Sequence, residues 1–207
     1  MKALFINGSP HIKGCTKRGL EEVEKILKEE GFETDWLEVG NKDIRGCIGC
    51  YYCREHNKCV FNDIVNENAY KLEEADAVIV GTPVYYAGPN GQLHSFLDRY
   101  FFSTATSIDK TMKVGATVVS SRRAGSTSAF DDINKYFTIS NMPLAPSTYW
   151  NEVHGFHPEE VERDLEGLQT MRNLGRNIAF MVKAFKALKE KEGFPEPEKG
   201  ARTNFFQ

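Results

Sequence analysis

Lys2-Ala3-Leu4-Phe5-Ile6-Asn7-Gly8-Ser9-Pro10-His11-Ile12-Lys13-Gly14-Cys15-Thr16 opens the chain with a short apolar run that passes straight into a turn of small residues. Residues from Thr16 to Glu30 then place Leu20, Val23, Ile26 and Leu27 on one helical face, with Gly31 set to end the helix. Strand, small-residue turn and helix in that order make an anion site. Amides in the turn and at the helix start point outward, and the helix dipole favours negative charge there. Ser9 and Thr16 add hydroxyl donors, while Gly8 and Gly14 admit close backbone approach. The nucleotide loop G-x-x-x-x-G-K-[ST] needs a lysine where this chain has Cys15. The dinucleotide fingerprint G-x-G-x-x-G is not supplied by Gly8-Ser9-Pro10. A mononucleotide phosphate suits what remains.

Outward from this unit, apolar runs of strand length alternate with helical stretches, the pattern of a parallel α/β sheet. Strands are predicted at Lys2–Asn7, Glu33–Val39, Asp76–Gly81, Lys113–Ser120 and Leu144–Trp150. Helices are predicted over Thr16–Glu30, from Asp63 as cap to about Glu74, and over Asn90–Phe102 and Ser126–Phe137. From Pro158 to Lys191 apolar residues recur every three or four positions, which predicts a long closing helix with room for a break near Gly167 or Gly175. One doubly wound domain over residues 1–191 is expected, with a cysteine-rich excursion at 46–62 and an irregular tail at 192–207. Docking of the tail's Phe205-Phe206 on the body or on a second subunit is a further expectation.

The chain has 207 residues, of which 41% are hydrophobic and 27% charged, as in a globular protein. A formal net charge of −3 gives no electrostatic case for nucleic acid or an anionic membrane as partner. No apolar run approaches the ~20 residues that cross a bilayer, and Met1–Gly8 lacks the marks of a signal peptide. A cytoplasmic location is therefore expected, where clustered cysteines more often ligate metals or react than form disulfides.

Two more loops join the first one. In a sheet ordered 2-1-3-4-5, ligands sit at the carboxyl ends of the strands, at the point where the strand order reverses. Thr82-Pro83-Val84-Tyr85-Tyr86-Ala87-Gly88-Pro89-Asn90-Gly91 follows the third strand and offers aromatic surfaces on stiff backbone, suited to a flavin ring. Ser120-Ser121-Arg122-Arg123-Ala124-Gly125-Ser126 follows the fourth and offers donors and positive charge. Together with Gly8-Ser9-Pro10…Gly14-x-Thr16, these stretches resemble the NADPH-dependent FMN reductase family over about residues 1–150. The resemblance implies a flavodoxin-like fold with a five-stranded parallel sheet and FMN as cofactor. It implies that Ser9, Pro10, His11, Gly14, Cys15 and Thr16 surround the phosphate. Pro83, Val84, Tyr85 and Tyr86 would line the ring, with Ser121, Arg122 and Gly125 on its other edge. Family members often carry Arg or Lys at the place of His11, and Asn or Ser at that of Cys15.

Cys47, Cys50, Cys53 and Cys59 form a C-x2-C-x2-C-x5-C run, whose close spacing lets thiolates turn inward on one centre. This run resembles the compact motif of the family's iron–sulfur flavoprotein branch and so implies a [4Fe-4S] cluster. Zinc on the four thiolates, zinc on three with His56, or an unliganded loop are the competing readings. The primary expectation is an FMN oxidoreductase that takes electrons from NAD(P)H and passes them to a flavin, quinone or similar small-molecule acceptor. No catalytic acid or base need exist, because the flavin carries the chemistry. The alternative is an electron carrier linking a ferredoxin-like donor, the cluster and FMN, and a redox or metal sensor is the third. A homodimer or homotetramer is implied by the resemblance.

Overall fold

In the computed structural model, which describes residues 1–201 and 203, five parallel strands lie in the order β2-β1-β3-β4-β5. They are β1 (Lys2–Asn7), β2 (Glu33–Glu38), β3 (Ala77–Pro83), β4 (Val114–Ser121) and β5 (Glu152–His154). One face is covered by α1 (Cys15–Glu29) and α8 (Leu165–Glu192), which bury Leu20, Val23, Leu174 and Ile178 against Phe5, Ile79 and Val118. The other is covered by α5 (Gly91–Ser103) and α6 (Ser126–Ile139), with Leu93, Phe96 and Phe137 on Ile6 and Val80. β1, β3 and β4 are buried on both faces, which is why each reads as a nearly continuous apolar run. Among the described residues four short helices remain: α2 (Tyr52–His56), α3 (Ile64–Glu67), α4 (Ala69–Glu74) and α7 (Pro158–Val161).

The fifth strand lies at Glu152–His154 and not at the expected Leu144–Trp150. The backbone shows why. Leu144 does meet β4, since Gly115 N–H donates to Pro143 O at 2.8 Å and Ala145 N–H to Gly115 O at 2.9 Å. The pairing does not continue past Ala145. The segment bows outward, held by Ser147 Oγ on Asn151 Oδ1 at 2.6 Å, and rejoins β4 where Val119 N–H donates to Asn151 O at 2.9 Å.

The closing helix also breaks elsewhere than at Gly167 or Gly175. It parts between Val161 and Leu165, where Asp164 accepts from Gly167 N–H and caps α8. Gly175 serves contact instead: a Cβ there would lie 2.8 Å from Ile26 Cβ, so the glycine lets α8 close onto α1. The helix expected from Asp63 to Glu74 is divided at Asn68 into α3 and α4. Phe205-Phe206 lie outside the described residues. No helix among those described is long and apolar enough to cross a membrane.

Candidate functional site

At the carboxyl ends of β1, β3, β4 and β5 the connecting loops enclose a cleft of about 840 Å³. Its floor is the turn between β1 and α1. Asn7 Oδ1 accepts from Ser9 N–H at 3.0 Å, Ser9 Oγ accepts from His11 N–H at 3.2 Å, and His11 O accepts from Gly14 N–H at 2.9 Å. These bonds fold the turn on itself and leave the start of α1, where no side chain caps the first turn, as part of the cleft wall. Thr16 Oγ1 shares a 2.7 Å hydrogen bond with Ser120 Oγ, tying α1 to β4. Ser121 Oγ is buried with no hydrogen-bond partner, a polar atom left for a ligand to satisfy. Uncapped helix start, packed glycine turn and orphaned hydroxyl all fit a phosphate-bearing planar cofactor such as FMN.

Ser9, Pro10, His11, Gly14, Cys15, Thr16, Pro83, Val84, Ser121 and Arg122 all line this cleft. Tyr85, Tyr86 and Gly125 stand outside its wall. Tyr85 and Gly88 pair through two backbone hydrogen bonds around Tyr86 and Ala87, whose φ values of 50° and 61° give the mirror-image turn of tight hairpins. That turn throws Tyr86 fully into solvent. Gly125, with φ of 90°, is a packing point: a Cβ on it would stand 2.8 Å from Ala87 Cα and 2.9 Å from Val84 Cγ1. Cys15 is half-buried, its thiol on Gly155 O at 3.5 Å, and burial pushes that thiol above its ordinary range.

A fourth loop, Gly155-Phe156-His157-Pro158, closes the cleft and went unforeseen. Gly155 N–H donates to Ser121 O at 3.0 Å, and the guanidinium of Arg122 lies 5.5 Å over the Phe156 ring. The His-Pro-Glu-Glu run at 157–160 is a cap pattern that marks this loop, since Glu160 accepts from Phe156 N–H at 2.7 Å.

The four clustered cysteines line one small pocket of about 20 Å³ beside α5. Cys53 is buried, Cys59 half-buried, and Cys47 and Cys50 are exposed. Burial, and then the neighbouring Cys59, Cys47 and Cys50, push the Cys53 thiol up. Among the described residues no three His, Cys, Asp or Glu side chains stand in coordinating geometry, so a metal centre would draw the exposed pair inward. Residues 43–51 carry no regular secondary structure, so no helix or strand ladder fixes that loop. The donor set and its setting fit a thiolate-bound centre, because Arg99 Nε–H donates to Cys59 Sγ at 3.2 Å. Asn66 fixes the same residue, accepting from Cys59 N–H at 2.8 Å and donating to Cys59 O at 2.9 Å. The detectable signal for Arg99 was a charge set among Phe96, Leu97, Tyr100 and Phe101 on α5, where only a paired ion is stable.

A profile described as NADPH-dependent FMN reductase matches residues 1–157. An iron–sulfur flavoprotein of Methanocaldococcus jannaschii is 34% identical over 90% of this chain and all of its own length. An iron–sulfur flavoprotein of Methanosarcina thermophila is 27% identical over 92% of the chain and its whole length. Among solved structures, a WrbA-like flavodoxin from Agrobacterium tumefaciens superposes with a TM-score of 0.61 at 17% identity, covering 88% of this chain and 98% of that one. With the 2-1-3-4-5 sheet and the cleft at its switch point, these matches establish that the chain belongs to the NADPH-dependent FMN reductase family, grouped with its iron–sulfur flavoproteins, and is an FMN-dependent oxidoreductase or electron carrier.

Proposed function

We propose that the protein is an electron-transfer flavoprotein that holds FMN in the cleft and a [4Fe-4S] cluster on Cys47, Cys50, Cys53 and Cys59. The observation that carries this reading is the convergence of all four cysteines on one pocket against a buried guanidinium.

Each part of the chain has a defined task under this reading. The amides of the Ser9–Thr16 turn that are not bonded within it, with those at the start of α1, bind the phosphate. Pro83, Val84, Arg122 and Phe156 line the same cleft and would face the ring. Arg122 adds positive charge there, and Ser121 gains the partner it lacks. Bound FMN supplies two-electron and one-electron chemistry, and the cluster one-electron chemistry. Asn90 N–H donates to Thr82 Oγ1 at 3.1 Å, so the start of α5 is anchored beside the cleft. Arg99 stands nine residues further along, about 13 Å down the axis at 1.5 Å per residue. A ferredoxin-like donor would therefore meet the cysteine end, and the small-molecule acceptor the cleft. Ile48, Tyr51, Val60 and Phe102 are exposed around the cysteines and favour a homo-oligomer that covers them. The free thiols are in keeping with a reducing, cytoplasmic location.

Direct reduction by NAD(P)H is the second reading, favoured by the cleft itself. Its 840 Å³ lies near the upper end of the range for small-molecule sites and leaves room for a second planar ring. Anaerobic purification followed by a visible spectrum and iron and sulfide assays tests the main proposal. Bound flavin with no iron or sulfide after reconstitution would remove the cluster reading. Rapid flavin bleaching by NADPH in such iron-free protein would establish the second.

A further inference from the structure

Arg99 uses every donor it has. Its side chain is fully buried. Nε–H donates to Cys59 Sγ at 3.2 Å. One terminal nitrogen donates to Arg45 O at 3.2 Å and Asp63 Oδ2 at 2.7 Å. The other donates to Phe61 O at 3.4 Å and Asp63 Oδ1 at 2.8 Å. A guanidinium carries five N–H donors, and all five are taken. Arg45 precedes Cys47, while Phe61 and Asp63 follow Cys59, so a single side chain from α5 ties both ends of the excursion together. The Phe61 ring meets two cations, with Arg99 at 5.1 Å and Arg45 at 4.8 Å from its centroid. Lysine could not replace this arrangement, since it offers three donors from one point and no planar fork.

We propose that Arg99 is the positioning residue of the cysteine site: it closes the base of the Cys47–Cys59 loop and sets the charge felt by its sulfurs. The second half rests on the cluster reading above. A hydrogen bond and a positive charge at a ligating sulfur favour the more negative, reduced charge state and so raise the reduction potential. Asp63 is the opposing charge; it is about one-third exposed and also caps α3 by accepting from Val65 N–H. Arg99 and Asp63 should therefore move the potential in opposite directions. One electron, taken from a ferredoxin-like donor or from dithionite in the assay, enters with no bond made or broken in the protein.

The test uses the full chain and its Arg99→Gln, Arg99→Lys and Asp63→Asn variants, reconstituted anaerobically with iron and sulfide. Arg99→Gln is expected to weaken iron retention about 10- to 100-fold and to shift the midpoint potential negative. Asp63→Asn keeps an equivalent cap and is expected to shift it positive. Arg99→Lys keeps the charge without the fork, so its potential should lie nearer the unsubstituted protein while its metal-free loop is cleaved as fast as that of Arg99→Gln. Normal loading with an unchanged potential in Arg99→Gln, or shifts of the same sign in Arg99→Gln and Asp63→Asn, would overturn the proposal. Should the unsubstituted protein take up no iron, the cluster reading fails and not the positioning role. That role is then decided by limited proteolysis within 46–62 of the metal-free protein, where equal rates with and without Arg99 would refute it. If Arg99→Gln does not fold, the positive shift in Asp63→Asn still decides the electrostatic half.

Discussion

Ser120 and Ser121 stand side by side at the end of β4, both nearly inaccessible, yet their removal should have opposite effects on the ligand-free protein. Ser120 Oγ is hydrogen-bonded to Thr16 Oγ1, whereas Ser121 Oγ has no partner. A buried polar group left unsatisfied costs about 1–3 kcal/mol. Ser121→Ala should therefore stabilise the FMN-free protein by about 1 kcal/mol, which for a domain of this size raises Tm by about 2–4 °C. The same change should weaken FMN binding, because the hydroxyl is the donor or acceptor that the ligand would satisfy. A loss of about 1–2 kcal/mol corresponds to a Kd about 5- to 30-fold higher. Ser120→Ala should lower the ligand-free Tm, since it strands Thr16 Oγ1. Calorimetry on FMN-free protein and titration of flavin fluorescence read the two quantities separately. A lower Tm for Ser121→Ala together with an unchanged Kd would refute the argument that this hydroxyl is kept for the ligand.

Gly125→Ala should weaken FMN binding while leaving the far-ultraviolet dichroism intact. Its φ of 90° and the 2.8 Å approach to Ala87 force apart the loops after β3 and β4, at a cost of about 1–3 kcal/mol. Gly175→Ala should do the reverse. It crowds Ile26 at the α1–α8 contact and lowers Tm by an amount equivalent to about 1–3 kcal/mol, with flavin affinity unchanged in the same fluorescence titration. Lys110 is buried, its ammonium donating to Thr104 O at 2.7 Å and Ile108 O at 3.2 Å, and burial pushes its pKa down to about 8. The unfolded chain then binds more protons than the native one between that value and the ordinary lysine value of 10.5, so this lysine makes stability rise with pH across the window. Tyr100 and Tyr136, whose pKa values burial raises, act oppositely above pH ~10. The slope is therefore read as the difference in urea unfolding between the unsubstituted protein and Lys110→Met, and a flat difference would contradict it.

The cleft illustrates how legibility depends on range. Ser9–Thr16 could be read because turn, glycine and helix start are neighbours in sequence and act through their own backbone. Tyr85 and Tyr86 are assigned to the ring by their aromatic character, while the positive φ of Tyr86 and Ala87 makes a tight hairpin that leaves both tyrosines exposed and outside the cleft lining. Gly155–Pro158 was invisible as a wall because its place depends on β5, and β5 depends on where pairing with β4 resumes after it stops at Ala145. Arg99 lies 40 residues from Cys59, and the spacing of cysteines carries no information about what packs beneath them.

By itself, then, the sequence determined the alternation of strands and helices, the phosphate turn and the clustering of four thiols, while the strand order came from the family resemblance. Period, proline, glycine and ligand spacing are local properties that persist in any folded context. Only the tertiary structure decided which side chains close the cleft, which hydroxyl is left without a partner, and which guanidinium ties the cysteine loop to α5. Those outcomes depend on burial and on partners distant in the chain, and both exist only once the sheet has brought its loops to one edge.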